Sequence, residues 1–151
     1  GPNEYHKGHM MSLVAKAFDR VREGHPMQLF RSHRPDIADG GEQRDFIYVD
    51  DVVAVILWLL ASPSVSGIFN VGTGRARTFR DLAEALFAAL GRKPHIEYID
   101  MPESLRGRYQ YFTQASTANL RRAGFNAGFT PLEHAVRHYV TRYLATSDRY
   151  R

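Results

Sequence analysis

Apolar residues recur at helical spacing between Met10 and Glu23, where Met10, Leu13, Val14, Ala17, Phe18 and Val21 share one face. Gly24 follows as a stop signal. MQLF at 27–30 is a short apolar run and predicts a strand. Residues 31–43 are polar, with Pro35 and the Gly40–Gly41 pair, and read as a loop. RDFIYV at 44–49 predicts a second strand, and Asp50 offers an N-cap to a helix over 51–61. That helix is apolar nearly all round, which predicts cover on more than one side. GIFNVG at 67–72 predicts a third strand, buried like 44–49 on both faces, and runs into the Gly72-Thr73-Gly74 turn.

Thr78 and Asp81 form a capping-box pattern that opens the helix FRDLAEALFAAL. HIEYID at 95–100 alternates and predicts a strand, and 103–114 reads as a loop or irregular strand rich in arginine and tyrosine. A short helix is expected at 117–123, ended by Gly124. Thr130 is placed to cap a last helix, with Pro131 at its first position and apolar residues through Leu144. The tail SDRYR is expected to fray. Alternating strands and helices place the chain in the α/β class, although so few strands cannot cover themselves as an independent sheet.

The 151 residues, 44% hydrophobic and 24% charged, suffice for one domain with a core. The longest apolar run, VVAVILWLLA at 52–61, falls short of the roughly 18 residues that span a bilayer. No charged-then-apolar signal pattern opens the chain, and a membrane role is not expected. The net charge of +4 is spread along the sequence without a Lys/Arg block. That pattern fits small anions such as a nucleotide diphosphate better than nucleic acid. There are no cysteines, which removes disulfides, thiolate ligands and thiol nucleophiles and agrees with a cytoplasmic location.

Four stretches carry candidate chemistry. His6, Lys7 and His9 precede the first helix. The two histidines lack a third ligand at a supporting spacing, so no metal site is expected. Lys7, in a Gly-flanked turn, suits an acid–base role if burial brings its pKa down, and otherwise belongs to a solvated tail. Arg44 stands opposite the polar Arg31, Ser32, His33 and Arg34, where it either clamps a diphosphate or pairs with Asp45 or Asp50. Gly72-Thr73-Gly74 lacks the spacing of a dinucleotide loop and reads as a tight turn. Arg106, Arg108 and Tyr109 share a loop that either holds a phosphate and stacks on a base or is simply an exposed basic surface, with Tyr109 filling core.

RDFIYVDDVV, then GIFNVGTG, then a Thr-x-x-Asp-Leu-Ala helix together resemble the C-terminal half of extended short-chain dehydrogenases that modify nucleotide sugars. GPNEYHKGHM, GIFNVGTGRA and LRGRYQYFTQA narrow the resemblance to the ADP-heptose 6-epimerase family, from Gly1 to about Tyr143. The resemblance implies that 1–151 is the substrate-binding half. Its elements at about 50–72 would pack on an N-terminal NADP-binding Rossmann domain that this sequence does not contain. Neither a G-x-G-x-x-G fingerprint nor a Tyr-x-x-x-Lys pair occurs here, and the resemblance assigns both to that other half.

By the same resemblance Lys7 is one of two acid–base groups that invert C6 of an ADP-heptose. His9, Lys16, Phe30, Arg31, Ser32, His33, Arg44 and Tyr109 are substrate-binding, with Phe30–His33 around the adenosine and Arg44 on the diphosphate. Several positions depart from the family: many members have a small residue in place of His9 and a histidine in place of Lys16, Phe30–His33 differs from the acidic, glycine-containing version of some members, and the 34–42 loop is longer than in others. The expected partners are the ADP-sugar and further copies of the full-length enzyme as a homo-oligomer. The half alone is expected to be inactive, and either to associate or to be marginally stable. Another nucleotide-sugar epimerase or dehydratase, and a non-catalytic nucleotide-sugar-binding module, are the alternatives.

Overall fold

The hydroxyl of Ser12 accepts the backbone N–H of Ala15 at 3.3 Å, so helix α1 runs Leu13–Arg22 rather than from Met10. The computed structural model describes residues 1–147; the end of the SDRYR tail, 148–151, lies outside the described residues. Before α1, Tyr5–Met10 forms 3₁₀ turns broken at Gly8, whose φ of 52° suits glycine. Strand β1, Met27–Phe30, pairs in parallel with β4, Ile96–Ile99, in the register Met27↔Ile96 to Phe30↔Ile99. A second small sheet pairs β2, Gln43–Arg44, antiparallel with β3, Arg77–Thr78. Gln43 also bridges in parallel to Phe112.

The remaining helices are α2 (Val49–Leu60), α3 (Phe79–Ala89), α4 (Glu103–Arg106), α5 (Ala118–Arg122) and α6 (Leu132–Tyr139). The last continues into a π-helical turn, Val140–Leu144. The capping box forms as the sequence predicts: Thr78 accepts from the Asp81 N–H, and Asp81 accepts from the Thr78 N–H. The main core joins one face each of α1, α3 and α6 with β1, through Val14, Phe18, Val21, Leu29, Leu82, Leu86, Val136 and Tyr139. Each such fully buried aliphatic or aromatic side chain contributes roughly 1.5–3 kcal/mol. A smaller cluster of Val55, Leu120 and Phe125 joins α2 to α5.

Several expectations need correction. RDFIYV does not form a strand beyond Arg44, and GIFNVG forms none: no neighbouring chain pairs with either among the described residues. Ile68, expected to be buried, is 91% exposed. The apolar helix α2 is not covered on several sides: of its residues only Val55 is buried, while Leu57 and Leu60 are 60% and 75% exposed. Its N-cap is Tyr48, and Asp50 and Asp51 lie in the first turn, where carboxylates complement the helix dipole. Thr130 does not cap α6, since Pro131 occupies that position. Its N–H and hydroxyl instead donate to Asp51, both at 2.8 Å, tying the start of α6 to the start of α2. The 103–114 stretch opens with the helical turn α4 before becoming extended.

Candidate functional site

The first turns of α1, the strand β1 and the extended chain at Tyr109 enclose a cleft of about 430 Å³. Leu13, Lys16 and Arg20 come from α1, and Met27 to Phe30 from β1. Glu42, Phe79, Ile99 and Tyr109 complete the wall. The aromatic side is built edge to face. Phe30 and Tyr109 have ring centroids 6.1 Å apart at 82°, and Tyr109 and Tyr111 are 5.5 Å apart at the same angle. The Arg44 guanidinium lies 5.4 Å from the Tyr109 ring centre and 5.6 Å from that of Phe79. It donates to the Gln43 carbonyl at 2.8 Å and makes no salt bridge among the described residues. Of the two alternatives, the pairing with Asp45 or Asp50 is therefore absent, and a cation with unspent donors stands over two rings of the cleft.

Asp45 is occupied elsewhere. Its carboxylate accepts from the Thr73 N–H at 2.8 Å, the Gly74 N–H at 2.9 Å, the Ala115 N–H at 3.0 Å and the Thr73 hydroxyl. Burial alone would raise its pKa, but these bonds outweigh it and hold the group below the usual aspartate value. The Gly72-Thr73-Gly74 stretch is thus a tight turn, filled from inside by a carboxylate. A Cβ at Gly72 would lie 2.5 Å from the Ala115 Cβ and 2.8 Å from Asp45 Oδ2. One residue therefore pins the turn and the 113–115 segment to the strand that carries Arg44.

Glu4 plays a similar part before the first helix. It is 4% exposed and accepts from the Ser12 N–H at 2.5 Å, the Ser12 hydroxyl at 2.7 Å and the Tyr139 hydroxyl at 2.8 Å. Burial pushes this carboxyl up, and the Ser12 and Tyr139 bonds bring it net below its usual value. Burial first, then the Glu4 bond, raise the Tyr139 phenol far above its ordinary value. The 3₁₀ segment bearing Lys7 is thereby tied to α1 and α6.

Of the residues singled out in the sequence, Lys16, Phe30 and Tyr109 line the cleft and Arg44 stacks on its rim. Lys7 and His9 are exposed on the 3₁₀ segment and lie outside the cleft wall. Arg31, Ser32 and His33 leave the cleft wall. Arg31 approaches Asp100 at 3.7 Å on the surface, the Ser32 N–H donates to Asp39 at 2.8 Å, and His33 is exposed. Arg106 donates to the Met101 carbonyl at 3.0 Å rather than facing the cleft. Glu42 does not stand out in the sequence. Its one signal is a spacing of two from Arg44, which puts both side chains on one face of an extended chain.

The cleft thus lies between a short parallel sheet and a helix and is rimmed by an arginine on aromatic rings. Residues 1–72 match the NAD dependent epimerase/dehydratase family. The fold is shared with UDP-glucose 4-epimerase of Thermus thermophilus, solved with NAD, at a TM-score of 0.64 and 30% identity over 83% of this chain and 37% of that one. It is shared too with ADP-L-glycero-D-manno-heptose-6-epimerase of Helicobacter pylori, at a TM-score of 0.73 and 24% identity over 94% and 40%.

The chain is a homologue of the ADP-L-glycero-D-manno-heptose-6-epimerases. It is 58% identical to that of Nitratidesulfovibrio vulgaris over 98% of its own length and 46% of the relative's. It spans about half the length of such relatives.

Proposed function

We propose that this chain is the C-terminal, nucleotide-sugar-binding half of an NADP-dependent epimerase that inverts C6 of ADP-D-glycero-D-manno-heptose, and that it is inactive alone. The observation that carries the reading is the convergence of Lys16, Phe30, Arg44 and Tyr109 on one cleft. An arginine with free donors suits a diphosphate, which it engages bidentately. The aromatic wall suits the flat base of an adenosine, and Lys16 adds positive charge on the α1 side. Sequence homology supports ADP-heptose over other nucleotide sugars.

A nicotinamide cofactor would supply hydride transfer at C6. The residues present do not fit its main site. No G-x-G-x-x-G turn occurs, and the Gly72-Thr73-Gly74 turn is filled by the Asp45 carboxylate and the Ala115 methyl. The work of this chain's own residues is therefore to bind and orient the nucleotide sugar and to move a proton. Lys7 is proposed as an acid–base group once the other half of the enzyme buries it. His9 is assigned to the substrate with Lys7, and Arg31, Ser32 and His33, which follow Phe30 at the end of β1, to the adenosine side.

Calorimetric titration of the chain with ADP tests the reading. Micromolar to millimolar binding is expected, weakened about 10–100-fold by Arg44→Met through loss of a charge-assisted pair. Equal affinity in the wild type and Arg44→Met would overturn the assignment of the cleft.

A further inference from the structure

Glu42 is 1% exposed, lines the cleft, and its Oε1 has no hydrogen-bond partner among the described residues. Lys16 and Arg20 share the cleft but make no ion pair with it, and Arg44 spends its contacts on two rings and the Gln43 carbonyl. The backbone explains why the side chain is held there. The Glu42 carbonyl accepts the Phe79 N–H at 3.0 Å, fixing the residue between β2 and the start of α3. An unpartnered buried carboxyl is costly, and native structures rarely keep one without a use.

We propose that Glu42 is a nucleoside-recognition residue, whose free Oε1 accepts a hydrogen bond from a ribose hydroxyl of the bound nucleotide. The inference rests on the reading of the cleft as a nucleotide site. Two features favour the ribose. First, Glu42 and Arg44 are two residues apart on extended chain, so their Cα atoms are about 7 Å apart on one face. In a nucleoside diphosphate the sugar hydroxyls lie at a comparable distance from the phosphates. Second, a carboxyl oxygen is an acceptor that needs a donor, and ribose hydroxyls are taken by Asp or Glu in other nucleotide sites. The aromatic and aliphatic wall formed by Phe30, Tyr109, Leu29 and Ile99 is left for the base. Burial, reinforced by the charge of Asp39, raises the Glu42 pKa, while its own N–H and Arg44 oppose the rise. Ligand binding would relieve that penalty by supplying the missing donor.

The test is a cycle between protein and ligand. ADP, 2′-deoxy-ADP, 3′-deoxy-ADP and the analogue lacking the 6-amino group are titrated against the wild type, Glu42→Met and Glu42→Gln. Glu42→Met preserves bulk without an acceptor, whereas Glu42→Gln keeps one. The wild type is expected to lose about 10-fold in affinity for one deoxy analogue, and Glu42→Met to bind ADP and that analogue equally. Glu42→Gln should recover part of the difference. Without ligand, Glu42→Met should melt higher than the wild type, because the unpartnered carboxyl is gone; a misfolded variant would melt lower, and Glu42→Leu, which also lacks an acceptor, would then carry the cycle. Undiminished deoxy discrimination in the variants, or coupling only to the 6-amino group, overturns the ribose assignment and leaves the cleft reading intact. A wild type that binds none of the four overturns both.

Discussion

Replacing Asp45 by asparagine probes how the cleft is held together. The aspartate carboxylate receives four donors, three of them backbone N–H groups from Thr73, Gly74 and Ala115. That fills the roughly four acceptor positions of an ionised carboxylate. An asparagine keeps one oxygen and turns an NH₂ toward two donors. Hydrogen bonds to a charged group contribute about 1.5–3 kcal/mol each; at this partly exposed site the lower figure applies, so two lost bonds amount to about 3 kcal/mol. Against an unfolding free energy of roughly 5–15 kcal/mol, that is a large fraction. The assay is urea unfolding followed by circular dichroism, where a slope of about 1–3 kcal/mol per molar turns the loss into a midpoint shift of about 1–3 M.

The pH dependence has a definite sign. The folded pKa of Asp45 is depressed, so its contribution is fully present above the unfolded value near 3.8 and is lost as pH falls through the folded value. The gap between wild type and Asp45→Asn should therefore be constant from about pH 5 upward and close below about pH 4. A midpoint shift under about 0.3 M at neutral pH would refute the reasoning, because it would mean that the turn holds its shape without the carboxylate.

Two further outcomes follow from the packing. Tyr139→Phe and Glu4→Met should each be destabilising in chemical denaturation, Tyr139→Phe by about 1–2 kcal/mol, and the double variant should cost less than their sum, since both remove the buried Tyr139–Glu4 bond; additive losses would show that Tyr139 and Glu4 are not coupled. The uncovered side of α2 and the 67–72 segment, with Leu57, Leu60 and Ile68 exposed, should drive concentration-dependent association of the isolated chain in sedimentation velocity. Leu57→Glu with Leu60→Glu should shift it toward monomer, and a wild type that stays monomeric at high concentration would contradict the expectation.

Local signals carried most of the element order. The Thr78–Asp81 box and the apolar spacing of Val14, Phe18 and Val21 work through contacts within a few turns, and α3 and α1 form where they indicate. The strand predictions for 44–49 and 67–72 rested on apolar runs alone. A run becomes a strand only when another chain pairs with it, and among the described residues none does so beyond Arg44. The same gap leaves α2 bare on most sides. At the site, Arg44 and Tyr109 were legible because both lie in distinctive motifs. Arg31, Ser32 and His33 were placed by resemblance; the Ser32 N–H donates to Asp39, and none of the three lines the cleft. Glu42 and the four-donor role of Asp45 depend on contacts across tens of residues, which no local pattern announces.

Every role proposed for Lys16, Phe30, Arg44 and Tyr109 depends on the cleft being a nucleotide site. Amide and side-chain chemical-shift mapping by NMR, on the full labelled chain titrated with ADP, tests this most directly. Shifts concentrated at Lys16, Phe30, Glu42, Arg44 and Tyr109, and saturating together, are the predicted result. Saturating shifts confined to another surface, or none at millimolar ADP, would contradict it.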